Sequence, residues 1–307
     1  MDMLFLRPST QEEALALLTQ YKQDAMIVAG GTDAVLRLTQ KKTAPAVILS
    51  LDAIPERHEI AVSDDTVRLA SGVTYNELLA SDVLRLYRGL REAVLHLASP
   101  AIRAVATPVG NICTAAPAAD CTTMLFALGA SAVLASNRGE RRVPLDAFFV
   151  STYKTIRESD ELVTAIEIPA LRPGEGTGYC RLSRRKAQDI GKILIGCRVR
   201  LDGDRIAEVS LSLGALNPTV VHAAELEGLL VGKTPEEALA LAAVTYPAEQ
   251  SFARAITKPT SRTPSARQSS GRFRWRWPMR KEREHESFIC SQRKKCFLRG
   301  GGRRGAR

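Results

Sequence analysis

Apolar residues recur along this chain with two different periods. Ala14, Leu17, Leu18 and Tyr21 share one helical face behind Ser9-Thr10-Gln11-Glu12. In that capping-box pattern Ser9 satisfies a free N–H and Glu12 reaches back, so a first helix is expected over about residues 10–22. The continuous run Ala25–Ala29 stops at Gly30-Gly31, and Ala34–Thr39 resumes with helical spacing, which reads as strand, glycine turn and helix. Ala46–Leu51 reads as another strand, and Glu59–Val62 with Val67–Ala70 as a hairpin turned at Ser63-Asp64-Asp65. Thr74-Tyr75-Asn76-Glu77 repeats the capping box ahead of a longer helix over about 82–98, which Ser99-Pro100 interrupts. A loop carrying Gly110-Asn111 leads to Pro117 and Asp120, which suit the opening of a helix that continues through Met124, Leu125 and Leu128. Strands follow at Ser131–Ala135 and Leu162–Ile168, the second closed by Pro169.

Past the loop-like Pro173-Gly174-Glu175-Gly176 the pattern changes to strands at Gly178–Ser183, Ile193–Leu201 and Ile206–Leu213, the last two joined through Asp202-Gly203-Asp204. Helices are expected at about 219–230 and at Pro235–Thr245, where Thr234 caps, Pro235 takes the first position and Glu236 and Glu237 occupy the first turn. The second unit therefore reads as a small antiparallel sheet with helices on one side, and the whole chain as an α+β protein. The domains expected are 1–173 and 176–257, followed by a tail over 258–307.

Charge sharpens that division. The net +10 of the 307 residues suggests a nucleic-acid or acidic-membrane partner until its location is considered. Residues 258–307 hold 16 Lys and Arg against 3 Asp and Glu, leaving 27 against 30 in residues 1–257, so the body is mildly acidic. Both tryptophans, Trp275 and Trp277, lie in the tail beside low-complexity basic stretches, and composition changes abruptly after Ile256-Thr257. A basic, aromatic-interleaved tail could bind single-stranded nucleic acid. The favoured expectation is instead a disordered segment or the product of a shifted reading frame, with nucleic acid an unlikely partner.

The longest apolar runs fall well short of the roughly 20 residues a membrane span requires, and the N-terminus lacks the features of a secretory leader. No membrane association is expected, and a cytoplasmic location is the default. Cys113, Cys121, Cys180, Cys197, Cys290 and Cys296 form no C-x-x-C pair, and His58, His96, His222 and His285 no metal-ligand pair, so no zinc or iron–sulfur centre is expected on this chain.

Two segments carry candidate chemistry. Phosphate oxygens need convergent N–H donors with no side chain in the way, and glycines between a strand and a helix supply them while the helix N-terminus adds partial positive charge. Ala29-Gly30-Gly31-Thr32-Asp33 meets that description, although a double glycine after a strand is often only a tight turn, and neither the G-x-G-x-x-G nor the G-x-x-x-x-G-K-[ST] fingerprint is present. Gly110-Asn111 with Thr114 and Asp120 offers a close backbone approach, a hydroxyl and a carboxylate. Two such loops suit a two-phosphate ligand.

The stretches Ile27–Asp33 and Arg103–Asp120 resemble, in order, spacing and context, the two FAD signatures of the molybdenum hydroxylase flavoprotein subunits, the xanthine dehydrogenase and carbon monoxide dehydrogenase flavoprotein family. The resemblance continues through Glu161–Pro169 and Tyr179–Ile190 and fades after about Thr257. It implies an FAD-binding PCMH-type domain of two α/β subdomains and a small, here truncated, C-terminal domain. It further implies that Ile27, Val28, Ala29, Gly30, Gly31, Thr32 and Asp33 wrap the pyrophosphate. Gly110, Asn111, Thr114 and Asp120 would hold further phosphate, ribityl and adenosine-side groups, and Leu97 and Ala98 would line the pocket. Val163 and Arg181 match flavin-contacting positions, and Ile190 should lie near the isoalloxazine face. One departure is Val109, where relatives usually carry a glycine; its β-branched side chain resists positive φ and is expected to weaken FAD affinity.

The resemblance also implies a division of labour. A molybdopterin-binding subunit would oxidise the substrate, a [2Fe–2S] subunit would relay electrons, and this chain would pass them through FAD to NAD. The rival readings are a self-sufficient flavin oxidase of the same broad fold, which would need a substrate cap larger than residues 176–257, and a nucleic-acid-binding protein acting through its tail.

Overall fold

Three short parallel strands carry the N-terminal segment in a computed structural model that describes residues 3–185 and 188–245. Strand β1 (Leu4–Leu6), helix α1 (Gln11–Tyr21), β2 (Ala25–Val28), α2 (Thr32–Thr39) and β3 (Val47–Ser50) form a sheet of order β1-β3-β2. Parallel neighbours need crossovers, and α1 and α2 supply them. Ala14, Leu15 and Leu18 of α1 bury against Leu49, Leu51 and Ile54. The N-cap of α1 is Thr10, not Ser9: the Thr10 hydroxyl accepts from Glu13 N, and the Glu13 carboxylate receives Ser9 N at 2.7 Å. The cap thus stands one residue beyond its expected position, and Glu13 reaches back to the two Ser9 donors rather than to the cap residue, in place of the reciprocal box the pattern suggests.

The next segment builds an antiparallel five-stranded sheet of order β4-β5-β10-β6-β7 from β4 (Ile60–Val62), β5 (Thr66–Ala70), β6 (Ser131–Ser136), β7 (Gly139–Pro144) and β10 (Leu162–Pro169), with a two-stranded ribbon, β8 (Phe149–Ser151) and β9 (Lys154–Thr155), beside it. Between β5 and β6 run α3 (Tyr75–Ala80), α4 (Val83–Leu86), α5 (Arg88–His96), α6 (Pro100–Arg103), α7 (Pro108–Thr114) and α8 (Asp120–Ala127), and α9 (Leu145–Phe148) follows β7. The capping box at Thr74 and Glu77 forms in full. The helix expected over 82–98 breaks at Tyr87, whose hydroxyl donates to Pro169 O at 2.8 Å while its backbone leaves helical geometry. Gly110-Asn111, expected in a loop, lies inside α7. Every residue of α8 is buried, whereas no residue of α2 is.

A buried carboxylate closes the loop ahead of β10. Arg141 Nε and Nη2 donate to the two Glu161 carboxylate oxygens at 2.7 and 2.8 Å, and Glu158 N adds a third bond at 2.8 Å. Burial alone would raise the Glu161 pKa; the bonds from Arg141 and Glu158 outweigh it and leave the group below its ordinary value. In Glu167, likewise, burial is outweighed by Arg142 and Arg68. A carboxyl depressed by folding stabilises the folded state fully above its unfolded pKa, and that contribution disappears as pH falls through the lower folded value. The melting temperature should therefore decline as pH falls below about 4.5, the ordinary glutamate value. In a Glu161→Gln variant the decline should be shallower, and equal slopes for the two proteins would refute the assignment.

The last segment is a four-stranded antiparallel sheet, β11 (Glu175–Leu182), β12 (Ile193–Asp202), β13 (Arg205–Gly214) and β14 (Val221–His222), followed by α10 (Ala224–Leu230) and α11 (Pro235–Thr245). The first of these helices starts at Ala224 rather than near 219 because Val221 and His222 pair with β13. Ile206, Leu230 and Ala238 form a small core there. The sheet docks directly on the helices of the preceding segment. Gly89 N of α5 donates to Thr177 Oγ1 at 3.0 Å, and Ser212 Oγ donates to Thr123 O of α8 at 2.6 Å. A Cβ at Gly89 would lie 2.8 Å from Gly178 C and 2.9 Å from Gly178 N, so only glycine permits this approach.

The chain divides into two units, Met1–Lys258 and Pro259–Arg307. The second unit, and with it the expected tail, lies outside the described residues, as do residues 246–257 of the expected C-terminal domain. Among the described residues no helix is long and apolar enough to cross a membrane.

Candidate functional site

The two glycine segments meet because Gly30 has no side chain. A Cβ there would sit 1.8 Å from Val105 O and 2.6 Å from Val105 C, so the turn after β2 lies flat against the backbone that leads into α7. Gly31 then caps α2 with φ 73°, a left-handed conformation natural to glycine. No side chain caps α2, and its first intrahelical bond is Val35 N to Gly31 O. Among the described residues, therefore, the amides of Thr32, Asp33 and Ala34 have no protein acceptor and stand at the positive end of the helix.

The second segment is helix rather than loop. Thr107 Oγ1 accepts from Gly110 N at 2.9 Å and Pro108 takes the first position, which starts α7 two residues ahead of the glycine. Two consequences follow. The Gly110 amide is already occupied, so Gly110 offers close approach rather than a donor. Val109 is buried in regular helix without positive φ, so the strain expected there is absent. Asn111 and Thr114 then fall where one helical turn brings them, into the cleft. Asn111 Oδ1 accepts from Thr122 Oγ1 at 2.9 Å, which leaves its amide nitrogen free to donate. Thr114 Oγ1 lies 3.0 Å from Asp33 Oδ2 and ties the two segments together. Replacing Thr107 with valine removes the α7 cap and should destabilise the protein by about 1 kcal/mol. The corresponding fall in melting temperature is roughly 2–4 °C.

Between these segments opens a cleft of about 770 Å³, within the several-hundred to roughly 1,000 Å³ range of small-molecule and cofactor sites. Ile27, Val28, Ala29, Gly30, Gly31, Thr32 and Asp33 line one side, and Gly110, Asn111, Thr114 and Asp120 another. Leu97, Ala98, Val163 and Ile190 complete the wall among the named positions. Val163 sits at a register shift between β10 and β6, a bulge of the kind that re-aims a side chain beside a site. Ile190 is 76% exposed and so forms part of the rim. Arg181 is the one named residue outside the lining: its guanidinium lies behind Asp120, 3.1 Å from Asp120 Oδ1.

Asp120 opens α8, which has no side-chain cap. Burial raises its pKa; the Tyr179 hydroxyl, which donates to Oδ1 at 2.6 Å, and the Arg181 charge oppose that rise. Burial also pushes the Cys113 thiol up to about 11 and Cys121 up to about 12, so both remain neutral at physiological pH. Among the polar members of the lining that sequence reasoning did not name are Tyr75 and Arg157. Arg157 places a cation in the wall, its Nη1 donating to Glu158 O and Glu161 O at 2.9 and 2.8 Å. Nothing in the local pattern around either residue marks it. Among the described residues no group of three or more His, Cys, Asp or Glu side chains could hold a metal ion.

Comparison with known proteins gives the cleft its context. Residues 1–171 match the family described as the FAD binding domain in molybdopterin dehydrogenase, and residues 178–261 the CO dehydrogenase flavoprotein C-terminal domain. The nicotinate dehydrogenase FAD-subunit of Eubacterium barkeri is 30% identical over 237 residues, covering 75% of this chain and 80% of that protein. The carbon monoxide dehydrogenase medium chain of Hydrogenophaga pseudoflava is 31% identical over 229 residues, covering 74% and 79%. The solved carbon monoxide dehydrogenase from Hydrogenophaga pseudoflava superposes with a TM-score of 0.75 at 29% identity, over 79% of this chain and 85% of that one. Quinoline 2-oxidoreductase from Pseudomonas putida 86 gives 0.73 at 26%, over 79% and 84%. The chain belongs to the FAD-binding family of molybdopterin dehydrogenases. Within it, this is an oxidoreductase flavoprotein subunit whose second domain is of the CO dehydrogenase flavoprotein type and whose cofactor is FAD.

Proposed function

We propose that this chain is the flavin-carrying subunit of a xanthine dehydrogenase-type molybdenum hydroxylase, receiving electrons from [2Fe–2S] clusters on a partner polypeptide and delivering them to NAD. The observation that carries the reading is the cleft itself. Two segments some eighty residues apart converge through the contact of Gly30 with Val105 O and the bond between Thr114 and Asp33, and both present donors to the same space. Relatives whose names specify FAD subunits or medium chains of nicotinate, carbon monoxide and xanthine dehydrogenases support a place beside molybdenum-bearing and iron–sulfur partners.

In this reading the free amides of Thr32, Asp33 and Ala34 hold the pyrophosphate, since they combine unmatched donors with the positive end of a helix dipole. The Asn111 amide nitrogen donates to an acceptor on the ligand while Thr122 fixes its orientation. Asp120, an acceptor whose side chain is held by Tyr179, receives a ligand hydroxyl or N–H. Arg157 adds a positive charge to the lining that favours the phosphates. Apolar Leu97, Val163 and Ile190 exclude water from the ring system. When bound, FAD supplies the redox chemistry, accepting electrons singly or in pairs and releasing them to an acceptor, and the protein supplies binding, orientation and electrostatics.

The reading is tested on the full chain, purified without cofactor and titrated with FAD while flavin fluorescence is followed. Saturable one-to-one binding is expected, and a chain that leaves the fluorescence of added FAD unchanged would refute it. Co-expressed with its molybdopterin and iron–sulfur partners, the assembly should reduce NAD during substrate turnover. Turnover with oxygen alone and none with NAD would overturn the choice of acceptor.

A further inference from the structure

We infer that Arg181 is a positioning residue that fixes one wall of the FAD cleft by holding three separate chain segments together from behind. The inference rests on the FAD reading above and concerns a residue that the cleft wall conceals. Arg181 comes from β11 of the C-terminal sheet, and its side chain is only 6% exposed. Its Nη1 donates to His96 O at 2.9 Å and lies 3.1 Å from Asp120 Oδ1; its Nη2 donates to Asp189 O. Each of those three partners adjoins or forms part of the cleft. His96 ends α5 and is followed by the lining residues Leu97 and Ala98. Asp120 is itself a lining residue at the start of α8, and Asp189 precedes Ile190 on the rim.

Among the described residues, the other hydrogen bonds of Asp189 are local. Its carboxylate accepts from Arg184 N and Arg185 N at 2.9 and 3.0 Å, which folds the loop on itself, whereas the bond from Arg181 to its carbonyl ties that loop to the body. Ala98 adopts a left-handed conformation, φ 46°, unusual for a residue with a Cβ. Its own carbonyl and that of Leu97 accept from Arg103 Nη1, so the 96–98 turn is held from both sides by arginines. A guanidinium suits the task because its donors form a rigid planar fork that can serve several acceptors at fixed angles, which the single nitrogen of lysine cannot do. The C-terminal domain thus contributes to FAD binding without lining the phosphate end of the site.

Arg181→Met and Arg181→Lys in the full chain test this, with FAD titration by fluorescence and amide hydrogen exchange of the cofactor-free protein. Both variants should bind FAD at least tenfold more weakly at a temperature well below their melting points. Both should also exchange faster at residues 97–98 and 189–191 while α8 keeps its protection. Unchanged FAD affinity in Arg181→Met, full rescue by Arg181→Lys, or exchange that rises uniformly over the whole domain would each overturn the positioning role. A parent chain that binds no FAD defeats the functional reading instead, and the exchange pattern still decides whether Arg181 organises these segments.

Discussion

Gly30→Ala should abolish tight FAD binding. The added Cβ collides with Val105 O and Val105 C, with Ala106 Cα only 3.1 Å away, and all three are backbone atoms that no rotamer change can move. The turn after β2 must then separate from the strand of chain entering α7, and the two groups of donors no longer face one space. Overpacking of this kind costs about 1–3 kcal/mol in stability. A loss of roughly 2–3 kcal/mol in binding corresponds to a rise of about 30- to 150-fold in the FAD dissociation constant. Gly31→Ala is the informative comparison, because its Cβ meets only Val28 Cγ1 and Val35 Cγ2 at 3.6 and 3.7 Å, and its penalty comes from φ 73°. That penalty should be about 1 kcal/mol. Fluorescence titration and thermal melts of both variants separate the cases, and a Gly30→Ala protein that binds FAD like its parent would show that the two segments need not touch.

Gly89→Val tests the junction between α5 and the C-terminal sheet. Its side chain would have to occupy the position of the Gly178 backbone, so α5 and β11 must move apart along the line that also carries the bond from Gly89 N to Thr177. The expected loss is about 3 kcal/mol, at the upper end for overpacked interiors. For a domain of this size that is a fall of about 6–12 °C in melting temperature. Gly178→Ala, on the other side of the same contact, has nothing near its Cβ and should leave the melting temperature within about 2 °C of the parent. Similar melting temperatures for the two variants would contradict the packing described.

Much of this arrangement was legible in the residue pattern, and the failures have particular causes. The strand, glycine turn and helix over residues 25–39, the hairpin over 60–70 and the three long C-terminal strands follow from apolar runs bounded by turn residues. Strand β7 was invisible because Gly139-Glu140-Arg141-Arg142-Val143-Pro144 is an edge strand with only Val143 buried, and its charges read as loop. Helix α7 was hidden by Gly110, a poor helix former, although Thr107-Pro108 is a cap followed by a favoured first residue. The break at Tyr87 goes with its bond to Pro169, a residue more than eighty positions away, which no local window contains. Most of the named lining positions lie in two contiguous motifs, Ile27–Asp33 and Arg103–Asp120, which a sequence displays directly. Arg181 shows the limit of that route, since matching a position says that a residue belongs to a site but not whether it faces the ligand or stands behind it.

The cleft has one hard wall and one soft one. Helix α8, with all eight residues buried, has no freedom that does not disturb the core, whereas α2 presents its amides from a helix with no buried residue. Local opening free energy follows the number of buried contacts, so α2 belongs to the weakly protected part of the protein and α8 to the strongly protected part. Occupancy by the dinucleotide should therefore slow proton exchange in α2 far more than in α8. The ordering entropy surrendered at α2 would reduce the affinity gained from the phosphate contacts proposed for it, so a substitution that stiffens this helix without touching the ligand should tighten binding.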